Sequence, residues 1–444
     1  MIDKIVELLN NKNLAILGFG REGKATYNFI RSHVGNQEIT IIDKNDVSDD
    51  ELLVNDTNVK VISGEDYLNN LEIYDLVIKT PGISLKDIDS NKVNITSEME
   101  LLLEVNKERI IGVTGTKGKS TTSSLIANIL KENGVKTIFA GNIGIPVFLM
   151  LDDAEDDTMF VLEMSSHQLE FLKFSPHIGV VLNLFEDHLD HAGSVEHYHN
   201  IKMNMFRYQD ESDYMIYCQD NDNLRKKVEN SNFVGQKCII DINGCNALTY
   251  LLDDYVYYDK KAAFKKDIKR KLLGLYNLKN IMVAYTVSKI LGLNDEKTLK
   301  AISEFEPLKY RLELVGEVNN VKYYVDTLAT IPAATRESIE ALKNVNTLIF
   351  GGMDRGISYE GFAEYLESTD IEHFICMPTT GTKIGKEISE ERTYFVETLE
   401  EAVDLAKKIT REGTICLLSP AAASYEHFKN YADKGDKFKE YVLK

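Results

Sequence analysis

Ile110-Ile-Gly-Val-Thr-Gly-Thr-Lys-Gly-Lys-Ser-Thr-Thr122 runs a β-branched strand into a glycine-rich turn, and Ser123-Ser-Leu-Ile-Ala-Asn-Ile-Leu130 carries on with a helical pattern. Glycines at 115 and 118 let backbone N–H groups close on phosphate oxygens at a helix amino terminus, where the helix dipole favours negative charge. Lys119 then reaches terminal phosphates and the Ser120 hydroxyl faces a phosphate-bound magnesium ion. A strict P-loop has glycine at position 113, where this chain has Val113. A plain glycine turn with two exposed lysines is the competing reading, and the strand before and helix after favour phosphate binding.

Outward from this turn, short β-rich runs alternate with amphipathic helical runs, the pattern of α/β folds with mainly parallel sheets. Three blocks are expected: a Rossmann-like domain over 1–104, a central P-loop ATPase domain over 105–307 and a second Rossmann-like domain over 308–444. The first has strands at Leu14–Leu17, Glu38–Ile42, Lys60–Ile62 and Asp75–Ile78. The third has strands at Lys322–Val325, Thr347–Phe350, His373–Cys376 and Thr414–Leu418 and reads as a small doubly wound domain. The Asp-, Asn- and Tyr-rich stretch from Ser212 to Lys271 is expected to form an edge subdomain.

Other motifs sit where strands end. Gly18-Phe-Gly-Arg-Glu-Gly23, with Asp43 closing the next strand, has the spacing of a dinucleotide fingerprint; a tight βα turn without a ligand fits equally well. From Asn183 to Lys202 four histidines stand beside Glu186, Asp187 and Asp190, either as metal ligands or as a polar loop with a helix cap at Ser194. Glu163 ends a buried-looking strand, where a carboxylate is costly unless paired or bound to a cation such as ATP-held magnesium; the alternative is a helix cap at Ser165 or Ser166. Arg355 can clamp a carboxylate bidentately and Ser424 can add a donor at a helix start, although each also suits a plain turn and cap.

Composition limits the partners. With 51 Lys and Arg against 70 Asp and Glu, the formal charge is −19, so nucleic acid and anionic membrane are not expected partners. The amino-terminal sequence lacks the basic start and apolar run of a secretory signal. No apolar stretch has transmembrane length. The five cysteines include no C-x-x-C pair, which fits a reducing cytoplasm and excludes a zinc ribbon.

Six ordered motifs resemble those of the Mur ligases: Thr114-Gly-Thr-Lys-Gly-Lys-Ser-Thr, Glu163-Met-Ser-Ser-His-Gln-Leu-Glu, Asn183-Leu-Phe-Glu-Asp-His-Leu-Asp, Gly274-Leu-Tyr-Asn-Leu-Lys-Asn, Gly351-Gly-Met-Asp-Arg-Gly and Leu418-Ser-Pro-Ala-Ala-Ala-Ser. The similarity spans essentially the whole chain. It implies a cytoplasmic, monomeric ligase of peptidoglycan precursor synthesis that uses ATP and two magnesium ions to add D-glutamate to UDP-N-acetylmuramoyl-L-alanine through an acyl phosphate. Related ligases that add L-glutamate or another amino acid, folyl-polyglutamate synthases and a non-catalytic nucleotide-binding regulator of the same fold are the alternatives. Among these, the amino-terminal domain speaks against the folate enzymes.

The resemblance also implies roles residue by residue. Arg21, Glu22 and Asp43 would hold the UDP part of the substrate, with Asn142, Ser165 and Gln168 contacting substrate or phosphate. Gly115, Thr116, Lys117, Gly118, Lys119, Ser120 and Thr121 would cradle ATP, with Asn277, Asn280, Arg311 and Asp326 meeting its base, phosphates and ribose. Ser120, Glu163, His188 and a carbamylated Lys202 would ligate magnesium, and Lys119, Glu163, His188 and Lys202 would form the catalytic set. Thr330, Arg355, Ser424 and Tyr431 would take the amino acid. Where the family carries a lysine after Asp326, this chain has Leu328, which leaves the choice of amino acid open.

Overall fold

The computed structural model describes residues 1–86, 88–142, 144–186, 193–425 and 427–444. Among the described residues the strands form three sheets. The first is fully parallel, with β1 (Leu14–Leu17), β2 (Ile39–Ile42), β3 (Val59–Ile62), β4 (Leu76–Lys79) and β5 (Ile95–Thr96) in the order β3-β2-β1-β4-β5. Burial of both faces explains the unbroken apolar run of β1 and the nearly apolar one of β2, all of whose residues are buried.

The second sheet contains β6 (Ile110–Thr114), β7 (Thr137–Gly141), β8 (Met159–Glu163), β9 (Ile178–Val181), β10 (Tyr214–Cys218), β11 (Gln236–Asp241), β12 (Thr249–Leu252), β13 (Tyr255–Tyr258) and β14 (Lys261–Lys265). Their order is β14-β13-β12-β11-β10-β9-β6-β8-β7. Strand β6 lies between β8 and β9, beside the point where the winding reverses, which is where open α/β sheets collect ligands. The stretch from Ser212 to Lys271 is not a separate subdomain. Its β10 pairs in parallel with β9, Tyr214 opposite Ile178, and the antiparallel pairs β12–β13 and β13–β14 continue the same sheet to its edge. The turn residues between strands made this stretch look independent, while its pairing register joins it to the core.

These two sheets lie in one compact unit, Met1–Ile268 with Lys279–Ser303. They share an apolar core in which Phe29 and Phe148 pack with ring centroids 4.3 Å apart. Each large side chain buried there contributes about 2 kcal/mol.

The other unit, Lys269–Leu278 with Glu304–Lys444, holds the third sheet. It comprises β15 (Glu313–Val318), β16 (Val321–Val325), β17 (Val345–Phe350), β18 (His373–Cys376), β19 (Thr393–Phe395) and β20 (Ile415–Leu418), in the order β15-β16-β20-β17-β18-β19. Only β15 pairs antiparallel within it. The loops after β16, β17 and β20 therefore leave three neighbouring strands on one side.

Candidate active site

The turn after β6 opens into the helix Lys119–Glu132. Gly118 has φ +83°, and a Cβ there would stand 2.9 Å from the Asn280 amide oxygen, so glycine both permits the bend and admits Asn280 against the loop. Val113 replaces the usual glycine without harm because it is a fully buried strand residue whose carbonyl accepts the Met164 N–H at 2.9 Å. Lys119 folds back on the loop, donating to the carbonyls of Gly115 and Thr116 at 2.9 and 3.0 Å.

The loop is clamped by a residue to which the sequence reading gave no role. Asn183, at the end of β9, accepts the N–H groups of Thr116 and Lys117 at 3.0 and 2.8 Å and donates to the Lys117 carbonyl at 3.0 Å. This takes up the N–H groups of Thr116 and Lys117 and holds the loop in shape, so that the later amides, at the helix start, are the ones that would face phosphate. Thr121 is buried and Ser120 half-buried in the first turn of the helix.

Glu163 ends β8 and is 1% exposed. Asn142 donates from its side chain to Glu163 Oε1 at 2.8 Å, and its backbone N–H meets the Glu163 carbonyl at 2.9 Å. Glu163 Oε2 is buried with no hydrogen-bond partner. A buried carboxylate oxygen left open in this way fits a cation and, among the described residues, has no other compensation. Ser165 does cap the short helix after it, in a capping box with Gln168, so the cap and the open carboxylate coexist.

Lys202 closes the helix Val195–Lys202, which Ser194 caps as expected. It is 1% exposed, donates to the Gly115 carbonyl at 3.0 Å and lies 4.8 Å from the Tyr198 ring centroid. The chain thus brings Lys202 to the phosphate loop, 87 residues upstream. His188, together with Asp187 and Asp190, lies outside the described residues.

On the first sheet, Asp43 accepts the Phe19 N–H of the glycine turn at 2.8 Å. Glu22, whose carboxyl is pushed up by burial, accepts the Gln168 side-chain amide at 3.1 Å. Arg21 lies near Gly144, beside Asn142. A small cleft opens here, lined among others by Glu22, Lys79, Ser97, Gln168 and Phe171. Lys79, missed in the sequence because a lysine at a strand end reads as solvent-facing, is 5% exposed, and burial pulls it down to about 8.

In the other unit Asp326 is buried and its carboxyl is raised by burial; it accepts the Ser338 hydroxyl and the Leu312 N–H, with the Arg311 charge acting against the rise. Asn277 donates to the Leu273 carbonyl at 2.8 Å. Thr330, Arg355, Ser424 and Tyr431 fall at the carboxyl ends of the third sheet's strands or on the helix after them. Arg355 and Tyr431 are exposed and Thr330 is half-buried, while Ser424 is 4% exposed with an unpartnered hydroxyl.

A phosphate loop at the sheet's switch point, a lysine in its first helical turn and an open buried carboxylate on the neighbouring strand are the features of a P-loop nucleotide-binding protein. Comparison with known proteins narrows this class. The Mur ligase middle domain matches residues 113–288, and the Mur ligase glutamate ligase domain matches residues 310–422. The chain is 36% identical to a UDP-N-acetylmuramoylalanine–D-glutamate ligase of Clostridium acetobutylicum, covering 99% of this chain and 98% of that one. It is 31% identical to the enzyme of that name from Acetivibrio thermocellus, over 98% and 97%. The chain belongs to the Mur ligase family.

Solved structures with this fold include a MurF ligase from Thermotoga maritima in complex with ADP, with a TM-score of 0.63 at 17% identity over 99% of this chain and 96% of that one. Another is the UDP-N-acetylmuramate–alanine ligase from the same organism, with a TM-score of 0.60 at 19% identity over 98% and 99%. No helix among the described residues is long and apolar enough to cross a membrane.

Proposed function

We propose that the chain is an ATP-dependent ligase that joins D-glutamate to UDP-N-acetylmuramoyl-L-alanine in peptidoglycan precursor synthesis, acting as a cytoplasmic monomer. The observation that carries the reading is the convergence of Lys119, the Asn183-clamped loop and the half-satisfied Glu163 at the carboxyl ends of β6, β8 and β9. Full-length similarity to ligases of that name supports the choice of substrates.

The division of labour follows the three blocks, 1–104, 105–307 and 308–444. Arg21, Glu22 and Asp43 hold the uridine nucleotide, with Asn142, Ser165 and Gln168 completing the acceptor's path toward the phosphate loop. The amides of Gly115–Thr121 cradle ATP, and Asn277, Asn280, Arg311 and Asp326 receive its remaining parts. Ser120, Glu163, His188 and Lys202 would hold two magnesium ions, which neutralise phosphate charge when bound. Thr330, Arg355, Ser424 and Tyr431 receive the amino acid.

The acceptor carboxylate attacks the γ-phosphorus, the bond to the β-phosphate oxygen breaks, and ADP leaves as an acyl phosphate forms. The amine of glutamate then attacks the acyl carbon, loses a proton, and the tetrahedral oxyanion collapses to amide and inorganic phosphate. Lys119 can release its loop carbonyls to follow the charge on the transferring phosphoryl group. Lys202 would become a metal ligand if its ammonium lost one proton and the resulting amine added to carbon dioxide with loss of a second, which converts a cation into a carbamate. Its burial and its position on the Gly115 carbonyl support this assignment.

A coupled phosphate-release assay with ATP, magnesium and UDP-N-acetylmuramoyl-L-alanine tests the reading. Release that requires D-glutamate is expected; release with L-glutamate alone assigns the chain to a different ligase, and none with any amino acid makes it a nucleotide-binding regulator. Lys202→Ala is expected to be nearly inactive and partly rescued by short carboxylic acids, and full activity in that variant removes the carbamate.

A further inference from the structure

Lys434, on the carboxyl-terminal helix Tyr431–Leu443, is 1% exposed. An ammonium has three donors. One goes to the Gly351 carbonyl at 2.9 Å, and the Phe428 ring lies 5.5 Å away. Among the described residues no carboxylate pairs with it. Burial pulls the group down to about 7. A cation buried this deeply is disfavoured until an anion binds nearby and restores its proton, so a packing role alone would be better served by an apolar side chain.

Its surroundings indicate what offsets that cost. Gly351 begins the loop after β17, has φ +115°, and a Cβ there would stand 2.2 Å from the Met377 carbonyl, so the backbone is held tightly. Its N–H meets the Pro420 carbonyl at 2.9 Å, and Met353 bridges Ala423, whose neighbour Ser424 has a buried hydroxyl without a partner. The Thr327 hydroxyl donates to the Tyr431 carbonyl at 2.8 Å, which ties the start of the helix to the loop after β16. Lys434 therefore underlies the junction of the three loops that carry Thr330, Arg355 and Ser424. Position 328 in the first of these is leucine, and among the four residues assigned to the amino acid only Arg355 is cationic.

We propose that Lys434 is a positioning residue of the amino-acid site. From beneath the loop Gly351–Arg355 it fixes that loop's carbonyl and supplies the positive charge that balances the second carboxylate of an amino dicarboxylate. The inference rests on the reading that the third block receives the amino acid. It makes Lys434 a determinant of selectivity for glutamate over its neutral amide.

Steady-state kinetics on the full chain with Lys434→Met and Lys434→Arg test it. For Lys434→Met the KM for glutamate is expected to rise about tenfold, the KM for ATP to stay within twofold, and the preference for glutamate over glutamine to shrink by a similar factor. The thermal midpoint is expected to hold or rise, because a buried unpaired charge has been removed. Lys434→Arg is expected to return the KM for glutamate to within about threefold of the parent. An unchanged KM for glutamate in Lys434→Met, or a lowered midpoint or insoluble protein, overturns the inference. Arg355→Ala run alongside separates the two levels. If it leaves the KM for glutamate unchanged, the assignment of the third block fails and the inference with it. If it raises that KM while Lys434→Met does not, the inference alone fails.

Discussion

The two ends of the central sheet carry similar side chains and differ in how their charges close. At the amino ends of β6, β9 and β10, ligand atoms of Glu108, His177 and Asp213 lie within 4.8 Å of one another, close enough to share an ion. Lys107 already occupies that place, 3.1 Å from Asp213 and 2.5 Å from Asp210, and His177 Nδ1 is 2.9 Å from Asp213. Burial lowers the Lys107 ammonium, but its bonds to Asp210 and Asp213 outweigh this and raise it. At the carboxyl ends Glu163 keeps one buried oxygen open. Clustered ligand atoms therefore do not by themselves mark a metal site; the first end is a closed clamp, while the second keeps the uncompensated charge on which the proposed function rests.

The largest expected effect breaks the open end. Glu163→Gln keeps the shape and the Asn142 contact region while removing the charge, and phosphate release is expected to fall by about a thousandfold, the scale for loss of a charge-stabilising group in an active site. Magnesium added with ATP should raise the thermal midpoint of the parent and lose most of that shift in the variant. Retained activity would return the open oxygen to a folding detail.

The closed end should respond the opposite way. Asp213 is fully buried and serves Lys107, His177 and the Asp210 N–H at once, so Asp213→Asn is expected to lower unfolding free energy by about 3 kcal/mol. Urea denaturation measures this. Kinetic constants at 25 °C should remain within twofold, and a large fall in kcat with unchanged stability would place the cluster in the chemistry instead.

Asn183→Ala probes the loop between strand and phosphate. It deletes two accepted N–H bonds and one donated bond, and a tenfold rise in the KM for ATP, about 1.4 kcal/mol, is expected with little change in the KM for glutamate. Equal rises in both would mean that the variant disturbs the unit as a whole.

What the sequence made legible is local. The strand Ile110–Thr114, its glycine turn and the helix after it follow from the consecutive residues Ile110–Leu130, and the Ser194 and Ser165 caps follow from their own short stretches. The clamp by Asn183 does not, because its partners are 66 and 67 residues away. Lys79 and Lys434 were invisible for a related reason. A lysine ending a strand or standing on an amphipathic helix reads as solvated, and only the third dimension closes apolar groups over it. The Ser212–Lys271 stretch erred the other way, since turn-rich composition hides the register that joins β10 to β9. Motif order across the blocks was legible because all but the Gly274–Asn280 motif, which opens the helix Leu275–Ile290, follow the carboxyl end of a strand, where parallel sheets place their loops.

The smallest effect tests the clamp's proton. The bond to Asp213 raises the His177 imidazole above its ordinary value, with Glu108 reinforcing it against partial burial and the Lys107 charge. A group bound more tightly to its proton in the folded state stabilises fully below its unfolded pKa, near 6.5, and loses that contribution as pH rises through the folded value. Unfolding free energy should therefore decline between about pH 6 and pH 8 by on the order of 0.5 kcal/mol, the scale of a partly exposed ion pair. His177→Gln should flatten that decline, while the pH dependence of kcat, set at the opposite end of the sheet, stays as in the parent. A variant that moved the kinetic profile and left the stability slope intact would show that the two ends are not electrostatically separate.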